Sequence, residues 1–65
     1  MRVEVNGKGL TAQVETLADL LTEQRFEVAA VATAVNGQFV PRGARADHPL
    51  NDGDRIEVLA PMQGG

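Results

Sequence analysis

The chain has 65 residues, with six Lys and Arg against nine Asp and Glu, and no Cys. A domain of this size buries only about 60% of the surface its unfolded chain exposes, which leaves no interior for a deep pocket and disfavours an enzyme that wraps its substrate. Net charge −3 has the wrong sign for a general binder of nucleic acid or of an anionic membrane, and without cysteine there is neither a disulfide framework nor a thiolate zinc site.

The N-terminus alternates, with Met1, Val3 and Val5 on one side and Arg2 and Glu4 on the other, which predicts a half-buried strand. Asn6-Gly7-Lys8-Gly9 supplies turn residues that tolerate positive φ. Leu10, Ala12 and Val14 then resume the alternation, so the two strands form a hairpin. The period changes at Leu17, Leu20 and Leu21, spaced i, i+3, i+4, and predicts a helix from Leu17 to Gln24 or Arg25. Thr16 is its expected N-cap, with Asp19 three residues on as a weaker form of the capping box. A helix this short is marginal alone and must pack on the hairpin.

Val31 to Val35 reads as a buried strand, and Asn36-Gly37 is a strong hairpin signal leading into Gln38, Phe39 and Val40. Pro41 cannot donate to a ladder and suits an edge. Residues 42–50 read as a loop, Asn51-Asp52-Gly53-Asp54 as a turn, and Arg55 to Ala60 as the last strand, with Ile56 and Val58 opposite Glu57 and Leu59. The order β-β-α-β-β-β, with one helix covering one face of a mixed sheet of four to five strands, is an α+β arrangement. Burying the first and last strands most deeply makes them adjacent and parallel, which is the ubiquitin-like β-grasp layout. Arg2, Glu4 and Asn6 interrupt the apolar run that a signal peptide needs, and no stretch approaches a membrane span; the expected setting is cytoplasmic.

After the last strand come Pro61-Met62-Gln63-Gly64-Gly65. Two closing glycines arise by chance in roughly one chain in 200, so the end invites a chemical reading. The expected division is a domain over 1–61 and a flexible tail over 62–65, led by Met62 and Gln63. Gly64 and Gly65 have no Cβ and make the thinnest possible tip, able to thread a narrow channel and present the Gly65 carboxylate inside another protein. A carboxylate is a poor acyl donor until one oxygen becomes a leaving group, as in an acyl-adenylate; a sulfur nucleophile can then displace AMP and leave a thiocarboxylate. Gly7-Lys8-Gly9 and Asn36-Gly37 lack the spacing of a phosphate-binding loop. ATP is therefore expected on a partner, and this chain is expected to be a protein co-substrate with no cofactor of its own.

These residues carry a resemblance. The short first strand with Asn6, the helix start from Thr16 to Leu21, and Ala34-Val35-Asn36-Gly37 running into Val40-Pro41-Arg42 all contribute to it. So do Leu50, Asp52-Gly53-Asp54, Ile56-Glu57-Val58 and the closing Gln63-Gly64-Gly65. In this order, spacing and length the chain resembles the ThiS sulfur-carrier family of thiamine thiazole biosynthesis, among the ubiquitin-like sulfur carriers. The resemblance implies a β-grasp fold and adenylation of Gly65 by an E1-like adenylyltransferase of the ThiF type. It further implies conversion to a thiocarboxylate and delivery of sulfur to a thiazole synthase of the ThiG type. Where many members of that family carry Trp, three residues after the arginine of Val-Pro-Arg, this chain has Arg45.

Other candidates are weighed beside it. His48 is the only histidine and has no ligand cluster around it, so it reads as a solvated loop residue and no metal site is expected. Asp52 and Asp54 read as caps of a turn too short to encircle calcium. Arg42 and Arg45 read as loop residues, either simply solvated or steering the chain toward an acidic groove. Phe39 and Leu59 are placed on the open face of the sheet as a patch continuous with Met62, the competing view being that Phe39 is core. Lys8, the only lysine, gives protein tagging one side-chain acceptor at most. The rivals to a thiazole carrier are the small-subunit carrier of molybdopterin synthase and a non-covalent ubiquitin-like interaction module.

Overall fold

A computed structural model of the chain describes residues 1–60; the expected tail, with Pro61, lies outside them. Five strands form one mixed sheet: β1 (Arg2–Val5), β2 (Lys8–Thr11), β3 (Ala32–Val35), β4 (Gln38–Val40) and β5 (Arg55–Leu59). Their order is β2-β1-β5-β3-β4, with β1 parallel to β5 and the remaining pairs antiparallel. The helix α1 (Leu17–Glu23) covers one face. This is the ubiquitin-like β-grasp arrangement, with the first and last strands side by side as their burial demands.

Both hairpins are two-residue turns built by Asn-Gly. Asn6 and Gly7 have φ of 51° and 85°, and Asn36 and Gly37 have 52° and 85°. Asparagine tolerates the first value and glycine adopts the second without a Cβ clash, so the primed turn forms and its twist matches the strands. The first turn is tighter than Asn6-to-Gly9, because Lys8 and Gly9 already pair with Val5 and Glu4. Strand β2 likewise stops at Thr11, short of Val14.

Helix α1 begins as the sequence indicates: the Thr16 hydroxyl accepts from the Asp19 N–H at 3.2 Å. Its end carries a Schellman motif, in which Phe26 N–H bonds Leu21 C=O at 2.9 Å and Arg25 N–H bonds Thr22 C=O at 3.1 Å. Arg25 takes the left-handed φ of 60° that this motif requires. Leu17, Leu20 and Leu21 are fully buried and pack with Val3, Val5, Val35, Val40, Ile56 and Val58, each contributing about 1.5–3 kcal/mol of apolar transfer. Leu17 N–H to His48 C=O and Leu50 N–H to Glu15 C=O, both at 2.9 Å, staple the helix start to the segment before the last turn.

The stretch expected to be a loop over 42–50 is more ordered than that. Pro41, with φ −66°, opens a 3-10 helix over Arg42–Asp47, closed by His48 N–H on Arg45 C=O at 3.2 Å.

Candidate functional site

The chemistry proposed for Gly65, with Gly64, Gln63 and Met62 leading to it, falls on residues outside those described. The structure defines the sheet end from which that tail departs. Strand β5 lies at the centre of the sheet and carries the chain outward to Leu59 and Ala60. Arg55, Glu57 and Leu59 face away from the helix while Ile56 and Val58 are buried.

The open face is where Phe39 and Leu59 stand. Phe39 is 69% exposed and Leu59 66%, so Phe39 is not core. Register explains their company: Phe39 pairs with Ala34, and Leu59 with Ala32. The small alanines of β3 separate two large apolar side chains without covering either, leaving an apolar strip across β4, β3 and β5. Beside it a shallow depression is lined by Glu4, Asn6, Arg55, Glu57 and Leu59. Contiguous exposed apolar patches are the kind of surface that partners use, whereas single exposed apolar side chains are ordinary.

Arg42 does not join them. It is exposed and lines a depression with Ala18, Thr22 and Val28 on the helix side of the sheet. Arg45 corrects the sequence reading more sharply. It is 4% exposed, neither solvated nor free to steer anything. Its Nε donates to Thr33 Oγ1 at 3.0 Å, Nη1 to Val28 C=O at 2.9 Å and Nη2 to Val31 C=O at 2.6 Å. Thr33 in turn donates to Val40 C=O at 2.8 Å. Arginine thus fills the position where an aromatic residue was the family expectation, and satisfies the carbonyls of the turn before β3.

The acidic turn is structural, as its length implied. Asp52 Oδ1 accepts from Arg2 N–H at 2.6 Å, and Asp54 Oδ2 from Asn51 N–H at 2.8 Å. His48 is half-buried, not fully solvated, and its backbone does the bonding described above. Among the described residues no group of His, Cys, Asp and Glu could hold a metal ion. No helix among them is long and apolar enough to cross a membrane.

Two side chains at the hairpins have a part that spacing alone does not reveal. Asn6 Oδ1 accepts from Val58 N–H at 2.8 Å, and its Nδ2 donates to Val58 C=O at 3.0 Å. Asn36 Oδ1 accepts from Arg55 N–H at 3.0 Å, and its Nδ2 donates to Asp54 Oδ1 at 3.0 Å. The two turns grip β5 from both sides. The Asn-Gly pairs advertise the turns, but not the 52-residue and 19-residue separations that these amides bridge.

Comparison with known proteins agrees with this architecture. The profile of the ThiS family matches residues 1–65. A sulfur carrier protein ThiS from Thermus thermophilus is 38% identical over 63 residues, covering 97% of this chain and 98% of that one. A sulfur carrier protein ThiS from Escherichia coli is 37% identical over 51 residues, 78% of this chain and 77% of its own. The crystal structure of a thiamine biosynthesis protein (ThiS) from Geobacter metallireducens superposes with a TM-score of 0.84 at 32% identity, covering 100% of both chains. With this fold, and with matches that span its length, the chain belongs to the ThiS family of sulfur carrier proteins.

Proposed function

We propose that this chain carries sulfur on the carboxylate of Gly65 for assembly of the thiamine thiazole. The observation that supports it most is the match to a sulfur carrier protein over 98% of that protein's length. In the proposed sequence a carboxylate oxygen of Gly65 attacks the α-phosphorus of ATP held by an E1-like adenylyltransferase, and pyrophosphate leaves. A nucleophile at the oxidation level of sulfide then attacks the acyl carbon; the bond to AMP breaks and a carbon–sulfur bond remains. The thiocarboxylate passes its sulfur to a thiazole synthase. Gly64 and Gly65, without Cβ, leave the acyl carbon uncrowded.

The domain's share of the work is recognition. Phe39 and Leu59 offer the activating enzyme an apolar surface, and Arg42 adds a charge that speeds encounter with an acidic groove. The test is intact-mass analysis after incubation with the cognate E1-like enzyme, ATP and a sulfide source. One oxygen exchanged for sulfur is expected, and deletion of Gly65 abolishes it while leaving circular dichroism unchanged. Normal exchange in the truncated chain defeats the reading. Capture of thiazole synthase in preference to a pterin synthase subunit identifies the acceptor.

A further inference from the structure

We propose that Asn36 is a site of spontaneous deamidation that the fold both holds back and reads out: its amide is protected while it bridges Asp54 and Arg55, and the carboxylate that replaces it is rejected by Asp54. The site belongs to the domain itself and stands apart from the carrier chemistry.

The reaction is that of an Asn-Gly pair. Once the Gly37 backbone nitrogen gives its proton to base, it attacks Asn36 Cγ; a carbon–nitrogen bond forms, the bond to Nδ2 breaks, and ammonia leaves. Water then opens the resulting succinimide to aspartate or isoaspartate, with no oxidant or reductant. Glycine favours ring closure because no Cβ shields its nitrogen. Asn36 and Gly37 are both exposed, and a Cβ built at Gly37 meets nothing within 4 Å, so base and water have free access.

The native turn engages the amide elsewhere. Asn36 Oδ1 accepts from Arg55 N–H and Nδ2 donates to Asp54 Oδ1, both at 3.0 Å. Swinging Cγ onto the Gly37 nitrogen breaks both bonds, while the pairing of Val35 with Gln38 holds the backbone between them, with Asn36 at φ 52°. Reaction therefore proceeds through local opening of the hairpin rather than from the closed turn. Strand β4 is where that opening starts, since it has three residues and ends the sheet.

Asp54 makes the outcome differ from that at the other Asn-Gly pair. Asn6 gives both its bonds to the backbone of Val58, so an aspartate there still accepts from Val58 N–H and loses only the donor. At residue 36 the new carboxylate faces the carboxylate of Asp54, itself 9% exposed, across a 3.0 Å contact that needed a donor. Like charges at that spacing repel strongly where little water lies between them. Isoaspartate adds a second fault: its extra backbone carbon lengthens a two-residue turn whose register Val35 and Gln38 fix. Either product loosens the hairpin that carries Phe39.

The test incubates the full chain in mildly alkaline buffer, with and without urea. Tryptic cleavage after Lys8, Arg25 and Arg42 places Asn6 and Asn36 on separate peptides for mass spectrometry. With two net hydrogen bonds to break, Asn36 should deamidate about twentyfold more slowly in the folded chain than in urea. Asp54→Ala removes one of those bonds and should quicken Asn36 about fivefold in the folded chain, leaving Asn6 within about twofold of the parent. Equal rates with and without urea overturn the proposal, and so does equal acceleration at both sites, which would report global unfolding. The product is tested by urea unfolding. Asn36→Asp should lower the folding constant about a hundredfold, against about fivefold for Asn6→Asp. Adding Asp54→Asn to Asn36→Asp exchanges amide and carboxylate across the same contact and should restore the constant to within about fivefold of the parent. A pair as unstable as the single variant overturns the role of Asp54, as does Asn36→Asp with the parent's stability. Should Asn36→Asp alone not fold, the pair still decides: folded it supports the proposal, unfolded it overturns it.

Discussion

The Nη2 of Arg45 donates to the carbonyl of Val31 at 2.6 Å, joining the 3-10 helix to the turn that precedes β3. Nη1 and Nε bind Val28 C=O and Thr33 Oγ1, so one planar group ties together three points along six residues of chain. All three acceptors are uncharged, and only the guanidinium fork reaches them together; a lysine ammonium is a point donor. Burying a cation is unfavourable unless it is hydrogen-bonded, and these bonds offset that cost. Arg45→Ala is expected to destabilise the fold by about 2–4 kcal/mol, through the lost bonds and the stranded carbonyls. In a domain of this length that lowers the melting temperature by roughly 10–20 °C. Arg45→Lys should recover less than half of it. Thermal melts followed by circular dichroism decide, and a variant melting with the parent would show the guanidinium to be dispensable.

Arg45 also marks where the sequence stops being legible. The hairpins, the Thr16 cap and the β1–β5 pairing rest on local chemistry: Asn-Gly turns, a hydroxyl three residues from its N–H, and alternation that gives the first and last strands one deeply apolar face each. The exposure of Leu59 follows from the same alternation, since Ile56 and Val58 face inward. Arg45 answers two carbonyls and a hydroxyl 12 to 17 residues away, and no periodicity encodes that. The 3-10 helix escapes for a related reason: Arg-Gly-Ala-Arg-Ala-Asp has no amphipathic repeat, and the segment is ordered by Pro41 before it and Arg45 within it. Arg42 and Arg45 read alike as loop residues, yet the 3-10 helix that Pro41 opens leaves Arg42 on the helix side of the sheet and buries Arg45.

Phe39 should matter to partners and hardly at all to stability. At 69% exposure it removes little apolar area from water, so Phe39→Ala should melt close to the parent. If the strip across β4 and β5 docks the activating enzyme, the same substitution raises the half-saturating carrier concentration for adenylation about tenfold, as for a central aromatic contact. The maximal rate should change by less than about twofold, since the tail is untouched. Leu59→Ala should behave alike. Unaltered saturation in both variants would remove this face from the encounter.

Arg25 points to an easy gain. A non-glycine residue at φ 60° bears strain between its Cβ and the backbone. The Schellman bonds at Arg25 and Phe26 are main-chain donors and survive any side chain there. Arg25→Gly should therefore stabilise the domain by about 0.5–1 kcal/mol, the usual advantage of glycine at this cap after its larger unfolded-state entropy is counted. The expected rise in melting temperature is about 2–8 °C. Arg25→Ala, which keeps the Cβ, is the control and should gain nothing comparable.

Asp54 and Asn36 are expected to be energetically coupled. The Asp54 carboxylate, 9% exposed, accepts from Asn51 N–H within its own turn and from Asn36 Nδ2 across the sheet. Asn36 also accepts from Arg55 N–H, so its removal leaves that strand-opening donor unpaired as well. Asn36→Gly preserves the positive φ of the turn and isolates the side chain's contribution; a loss of about 1–2 kcal/mol is expected from the two bonds. Asp54→Ala should lose about 2–3 kcal/mol, because a buried carboxylate bond and the Asn51 N–H are both affected. The double variant should be less destabilised than the two losses summed, by about 0.5–1 kcal/mol. Urea unfolding of the four proteins measures the cycle. Strict additivity would mean that the 3.0 Å amide–carboxylate contact carries no energy, and that the second hairpin grips β5 through Arg55 alone.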